Sequence, residues 1–238
     1  MHAPAKQAHR LSSTLANPKA WLVMLAVLAV GLALDLGTKA LAFRTIAGVP
    51  VRVDRRQVLE VGARASLDKL LPPHDPVVVL PRVLEFKLVL NRGAVFGIGA
   101  GRRWFFVAFT LAAAAFCLWM FAHWTRPVDR WAHAAIGMVL AGGLGNLYDR
   151  LVFACVRDFI HPLPGVRLPW GLEWPWGGRE LWSYVSNIAD KLLLVGIAIL
   201  VVHLWRHPVS PSPASPRRSS ASPEPNTGTA ARHPRPSP

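Results

Sequence analysis

A chain of 238 residues that is 52% hydrophobic and carries a formal net charge of +14 is not an ordinary soluble domain. Its apolar residues come in blocks about twenty residues long rather than at a two-residue or helical period, which points to several membrane spans. The basic excess lies mostly outside those blocks, where it suits anionic lipid headgroups, and nothing accompanies it that resembles a nucleic-acid motif.

In chain order, a basic leader (1–19) precedes a first apolar block, 21–43. Asp35 directly follows its first stretch and no small-x-small site appears there, so the block reads as a retained span rather than a cleaved leader. Residues 44–103 are not membrane-like. Val51 and Val53 alternate with polar residues, LLPPHDP (70–76) reads as a loop, and VLEFKLVL (83–90) reads as a strand leading into Asn91. Further spans follow at 104–123, 131–148 and 186–205, each long enough at 1.5 Å per residue to cross a hydrocarbon core of about 30 Å. Trp21, Trp104, Trp124, Trp131 and Trp205 lie at span ends, as interfacial anchors do. The loop 161–185 holds Trp170, Trp174, Trp176 and Trp182 and reads as resting on the interface or covering an apolar substrate. From 207 on, Pro, Ser and Arg dominate, and a disordered cytoplasmic tail is expected. The fold class expected is therefore an all-α polytopic membrane protein: four transmembrane helices with a small β-rich extracytoplasmic cap.

Alternating spans bring the end of the first, the start of the second, the end of the third and the start of the fourth to one membrane face. The polar motifs lie at those ends: Asp35 and Lys39; Asn91, Gly93, Ala94 and Phe96; Asn146, Asp149, Arg150 and Asp158; Asn187 and Asp190. Basic residues in the leader, Arg126 and Arg130 in the short second connection, and the tail favour cytoplasmic termini.

Ionisable groups in or beside a bilayer are costly and mark function or pairing. Asp35 and Lys39 are one helical turn apart and can pair. Asp149 and Arg150 are adjacent and do not face each other, which leaves Arg150 for another partner. If Asp158 and Asp190 meet, they form a pair that shares one proton, able to act as base toward water and acid toward a carbonyl or amine. The bland alternative pairs all four aspartates with Lys39, Arg150, Arg157 and Lys191. His123, His133 and His203 fall at the other ends of the spans and read as interfacial, and His161 lies close enough in sequence to tune Asp158. Cys117 and Cys155 form neither a framework nor a metal spacing, and neither a nucleophilic triad nor an HExxH pattern occurs. An ion-coupled carrier and a non-catalytic scaffold remain as rivals.

The segments DLGTK (35–39), NRGAVF (91–96), GGLGNLYDRL (142–151), VRDF (156–159) and NIAD (187–190) resemble, in order, the motif set of the lipoprotein signal peptidase (signal peptidase II) family. The resemblance implies a bacterial inner-membrane aspartic endopeptidase that cuts prolipoproteins before a diacylglyceryl-modified cysteine, with no cofactor or metal. It implies catalytic roles for Asp158 and Asp190. Asn91, Asn146, Arg150 and Asn187 would hold substrate or order the site, and Asp35, Lys39 and Asp149 would be structural. It also implies both termini inside and the site at the outer face. The partners expected are the prolipoprotein and membrane lipids, with no nucleic acid, for a chain acting as a monomer. The chain departs from the pattern in its longer 44–90 and 161–185 segments, in Ser186 where an aromatic is common, and in Lys191 where a small hydroxyl residue is common.

Overall fold

The computed structural model describes residues 14–62, 65–93, 102–174 and 178–206. Four long helices carry the fold: α1 (Pro18–Thr45), α3 (Arg103–His123), α4 (Arg130–Val152) and α5 (Ile188–Arg206). A short helix α2 (Arg55–Glu60) and strands β1 (Val77–Leu80) and β2 (Leu84–Asn91) lie between α1 and α3, and β3 (Val156–Pro162) lies between α4 and α5. The leader before residue 14, Ala94–Phe96 of NRGAVF, Trp176 and the tail from 207 lie outside the described residues.

Three helices, α1, α3 and α5, are long and apolar enough to cross a membrane by length and composition. Their outer faces expose Leu22, Val30 and Leu41, Phe105 and Phe109, and Leu194 and Val201. Contiguous apolar surface on this scale is a lipid face rather than a water face. The third block of the sequence, α4, is a helix of similar length but less apolar. It is the central element and packs against α1, α3 and α5, burying Gly142, Gly145, Asn146, Asp149 and Arg150 among them. Its low hydropathy follows from that position: it touches protein on most sides and brings polar groups to the inside.

Close approach of α4 to its neighbours rests on three glycines, of which Gly137 packs against the Met24 carbonyl of α1 and the other two lie nearer the polar residues. A Cβ on Gly142 would collide with the carbonyl oxygen of Ala189 in α5 and sit 2.8 Å from Leu193 Cγ. A Cβ on Gly145 would collide with the Asp35 carboxylate in α1. At the far end of the bundle a separate cluster closes the structure. Trp21 packs edge-on against Phe121 at 4.8 Å, the Thr14 hydroxyl donates to the Thr125 carbonyl at 2.8 Å, and Asp129 lies 3.8 Å from His203.

The β elements form one antiparallel sheet in the order β1-β2-β3, with Val89 paired to Asp158 and Asn91 to Val156. Its third strand therefore comes from the segment after α4, whereas the sequence pattern assigns the β-rich region to 44–103 alone. Two further differences appear. Val51 and Val53 lie in no strand, the Val51 amide donating to the Phe43 carbonyl at 2.7 Å, and the residues that follow form α2, whose Asp54 side chain accepts from the Arg56 amide at 2.7 Å. The fourth block begins as helix only at Ile188, because Ser186 pairs with Ile160 on the open edge of β3. His133 is fully buried rather than interfacial, its Nε2 3.1 Å from the Thr125 hydroxyl.

The α4–α5 contact gives a direct test. Gly142→Val should push Ala189, and with it Asp190, away from α4, lowering both the thermal unfolding midpoint in detergent and the activity. Unchanged stability and activity would show that the two helices can separate without cost.

Candidate active site

The site is built on two linked clusters where the end of α1, the end of α4, β3 and the start of α5 meet. The first is a buried ionic quartet. Lys39 Nζ lies 2.7 Å from Asp35 Oδ2 and 3.4 Å from Asp149 Oδ2, with all three side chains fully buried. Asp149 also receives Arg157, whose Nη2 donates to Oδ1 at 2.8 Å and whose backbone N–H donates to Oδ2 at 3.0 Å. Two carboxylates and two cations make the quartet neutral when all are ionised, the arrangement in which buried charge is tolerated. Asp35 also reaches α5. Its Oδ1 accepts from the Ala189 amide at 2.8 Å, satisfying one of the unpaired N–H groups that open that helix.

Asn146 joins this quartet to the second cluster. Its Oδ1 accepts from Lys39 Nζ and from Asn187 Nδ2, each at 3.1 Å, and its Nδ2 donates to Asp190 Oδ1 at 2.9 Å. Asn187 in turn donates to Asp158 Oδ1 at 2.6 Å. The two carboxyl groups of VRDF and NIAD are thus spanned by a pair of side-chain amides. Asp158 also accepts from Asn91 Nδ2 at 3.1 Å, and Asn91 is itself turned by its Oδ1, which accepts from the Gly93 amide at 2.9 Å.

NIAD is a capping box. Asn187 Oδ1 accepts from the Asp190 amide at 3.0 Å, and Asp190 Oδ2 accepts from the Asn187 amide at 3.2 Å. The reciprocal bonds fix the Asp190 carboxylate in the first turn of α5, where the helix dipole favours negative charge. Asp158 is set by its strand: neighbouring residues of β3 point to opposite faces, so Arg157 turns to Asp149 and Asp158 to Asn187. Pairing of Ser186 onto β3, with its amide donating to the Ile160 carbonyl at 2.8 Å, brings the strand and the helix start together.

Among the described residues neither Asp158 nor Asp190 has a salt-bridge partner, in contrast to Asp35 and Asp149. Asp158 is fully buried, and burial first, then the neighbouring Asp190, push its carboxyl well above the ordinary range. Arg150 lies within electrostatic reach of both carboxyl groups, donates to the Gly93 carbonyl at 3.0 Å, and sits 4.9 Å over the Phe106 ring. As its position beside Asp149 implied, it serves other partners.

All nine residues singled out in the sequence therefore fall in one connected network. Residues outside that set also belong to it or border it. Tyr184 donates from its hydroxyl to Asp190 Oδ2 at 3.3 Å. Arg157 is the main partner of Asp149, with its guanidinium 4.3 Å from the Phe153 ring centre. Only the closeness of Tyr184 to NIAD hinted at the first. His161 does not touch Asp158: its Nδ1 lies 2.7 Å from Glu85 Oε1 and its Nε2 3.2 Å from the Trp182 carbonyl. The Lys191 ammonium lies 5.6 Å from the centre of the Trp182 ring. The Cys155 thiol is buried, pushed up to about 12 by that burial, and so is held as the unreactive thiol.

Residues 27–206 match the family described as Signal peptidase (SPase) II. A lipoprotein signal peptidase of Anaeromyxobacter sp. (strain Fw109-5) is 31% identical over 191 residues, covering 77% of this chain and 84% of that protein. One of Syntrophotalea carbinolica is 31% identical over 142 residues, covering 58% and 78%. A bacterial membrane enzyme solved by the in meso method superposes with a TM-score of 0.54 at 21% identity, covering 83% of this chain and 93% of that one. The fold is that of a helical membrane enzyme, and the family match makes it a peptidase. The chain belongs to the signal peptidase II family.

The quartet predicts the effect of removing its central cation. Lys39→Met leaves Asp35 and Asp149 facing each other without their shared cation, a change that costs about 3–5 kcal/mol for a buried pair. Thermal unfolding in detergent should show a large loss, and a variant as stable as wild type would refute the ionic role.

Proposed function

We propose that this chain removes signal peptides from prolipoproteins by cutting before the diacylglyceryl-modified cysteine, with Asp158 and Asp190 as the catalytic pair. The observation that carries the reading is the contrast within the network: two aspartates are neutralised by cations, while the other two are bridged by amides. One proton shared by Asp158 and Asp190 leaves that pair with a single negative charge, which balances the charge on Arg150. The shared proton rests on Asp158, whose burial favours the neutral form. Asp190 accepts from Asn146, Asn187 and Tyr184.

In this mechanism Asp190 takes a proton from a water as that water attacks the scissile carbonyl. Asp158 gives its proton to the carbonyl oxygen, forming a neutral tetrahedral diol. A proton then passes from Asp190 to the departing amine of the modified cysteine, and collapse of the diol returns a proton to Asp158. Asn91, Asn146, Arg150 and Asn187 order the pair and offer donors to the substrate backbone. Asp35, Lys39 and Asp149 hold the helices that carry it.

We further place all four long helices across a bacterial inner membrane, with both termini cytoplasmic and the site at the outer surface. Supporting this, α4 shares its neighbours' length and antiparallel course, and Lys19, Arg126, Arg130 and Arg206 gather at the end away from the carboxylates. The sheet and the Trp-rich loop would then form the extracytoplasmic cap, and the chain would work as a monomer.

The test is cleavage of purified diacylglyceryl-modified prolipoprotein by the detergent-solubilised protein. Asp158→Asn and Asp190→Asn should each stay folded and lose at least about 10²–10⁴-fold in rate, the usual worth of an acid–base group. A variant with full activity would overturn the assignment. The pH dependence has a definite sign. Because the folded protein holds the Asp158 proton more tightly than the unfolded chain, that group's contribution to stability is complete below the ordinary carboxylate pKa of about 3.9. It is lost as pH rises through the raised value. Activity should fall over the same rise, and Asp158→Asn should remove this component of the pH dependence of unfolding.

A further inference from the structure

A cleft of about 1140 Å³ opens over the sheet and is lined at one place by Asn91 and Tyr184. Its lining includes Glu85, Lys87 and Asn91 of β2, Ser66 of the connection between α1 and β1, and Ser183 of the loop before α5. Asn91 and Tyr184 of that lining hydrogen-bond Asp158 and Asp190, so a single side chain stands between the cleft and each carboxyl group.

We propose that this cleft binds the stretch of polypeptide that follows the cleaved bond, in extended form. The inference rests on the reading of Asp158 and Asp190 as a peptidase pair and adds a binding site for the mature side of the substrate. Three observations select the occupant. Arg82 and Lys87 face the same space as Asp68 and Glu180, and charges of both signs suit a peptide backbone and not an acyl chain. The volume exceeds the roughly 300–1,000 Å³ of small-molecule pockets. From Glu85 to Asn91 the strand is about 20 Å long at 3.3 Å per residue, the span of about six extended residues. Since β2 is already paired with both β1 and β3, the peptide lies on the face of the strand and is read by side chains, not by edge pairing.

The wall that carries Ser66 belongs to the long connection between α1 and β1, and that connection is tied down. Arg92 donates to the carbonyls of Val61 and Gly62 at 2.7 and 2.6 Å and to that of Val58, and Arg55 donates to the Leu151 carbonyl at 2.8 Å. A wall anchored to the strand end and to α4 gives the cleft a fixed width.

The experiment compares two diacylglyceryl-modified peptide substrates that share one signal sequence. One stops a single residue after the cysteine and the other continues for ten. Wild-type protein should cut the longer one with a KM at least fivefold lower and a similar kcat. Ser66→Trp and Ser183→Trp, substitutions at exposed residues from two different segments of the lining, should each raise the longer substrate's KM toward that of the shorter one, with thermal unfolding confirming that both variants are folded. Equal KM values for the two substrates would overturn the cleft and leave the peptidase reading intact. So would a length advantage that survives in both Trp variants. Cleavage of neither substrate would instead overturn the peptidase reading itself.

Discussion

A lysine ammonium with no access to water has to be surrounded by anions, and Lys39 is that group here. Its three oxygen partners come from α1 and α4: Asp35, Asp149 and Asn146. Once it is placed, the ends of those helices have one relative position. Asp149 then recruits Arg157 and fixes the start of β3, and Asp35 caps the start of α5. The residues that would do the chemistry are set by elements that the buried charge has already located.

The same chain of contacts explains how ion-paired and amide-bridged aspartates can sit side by side in one network. Each of the first pair is matched by a cation. Each of the second is matched by amide donors, which hold a carboxyl group in place in either protonation state. Asn146 touches both sets and keeps them in register, its carbonyl oxygen toward the ammonium and its amide toward Asp190.

Much of this was legible because helical spacing is readable from a single chain. Asp35 and Lys39 one turn apart, Asn146 three and four residues before Asp149 and Arg150, and the Asn–Asp spacing of NIAD each specify a face or a cap. Long-range partners carry no such pattern. Arg157 meets Asp149 only because β3 turns back against α4, and Tyr184 reaches Asp190 through a loop of irregular backbone. In 51–60 two local patterns compete. The alternation at Val51 and Val53 suggests a strand, while Asp54 followed by Gln57 is a helix-start signature, and the second is the one that forms, with Asp54 capping the helix. Hydropathy understates α4 for a related reason: a helix enclosed by others does not need an apolar surface.

The packing of Gly145 against the Asp35 carboxylate, and of Gly142 against the Ala189 carbonyl, leaves the polar network without spare volume. An inhibitor that draws its affinity from Asp158, Asp190, Asn146 and Asn187 would press on two groups that the proposed chemistry needs and on two amides that tie α1, α4 and α5 together. Escape by point substitution would then be confined to the periphery, on the cleft walls and the loop that carries Tyr184, where a change can weaken a drug contact without undoing the helix ends. Compounds gripping only the inner amides and carboxyl groups would leave resistance few places to arise.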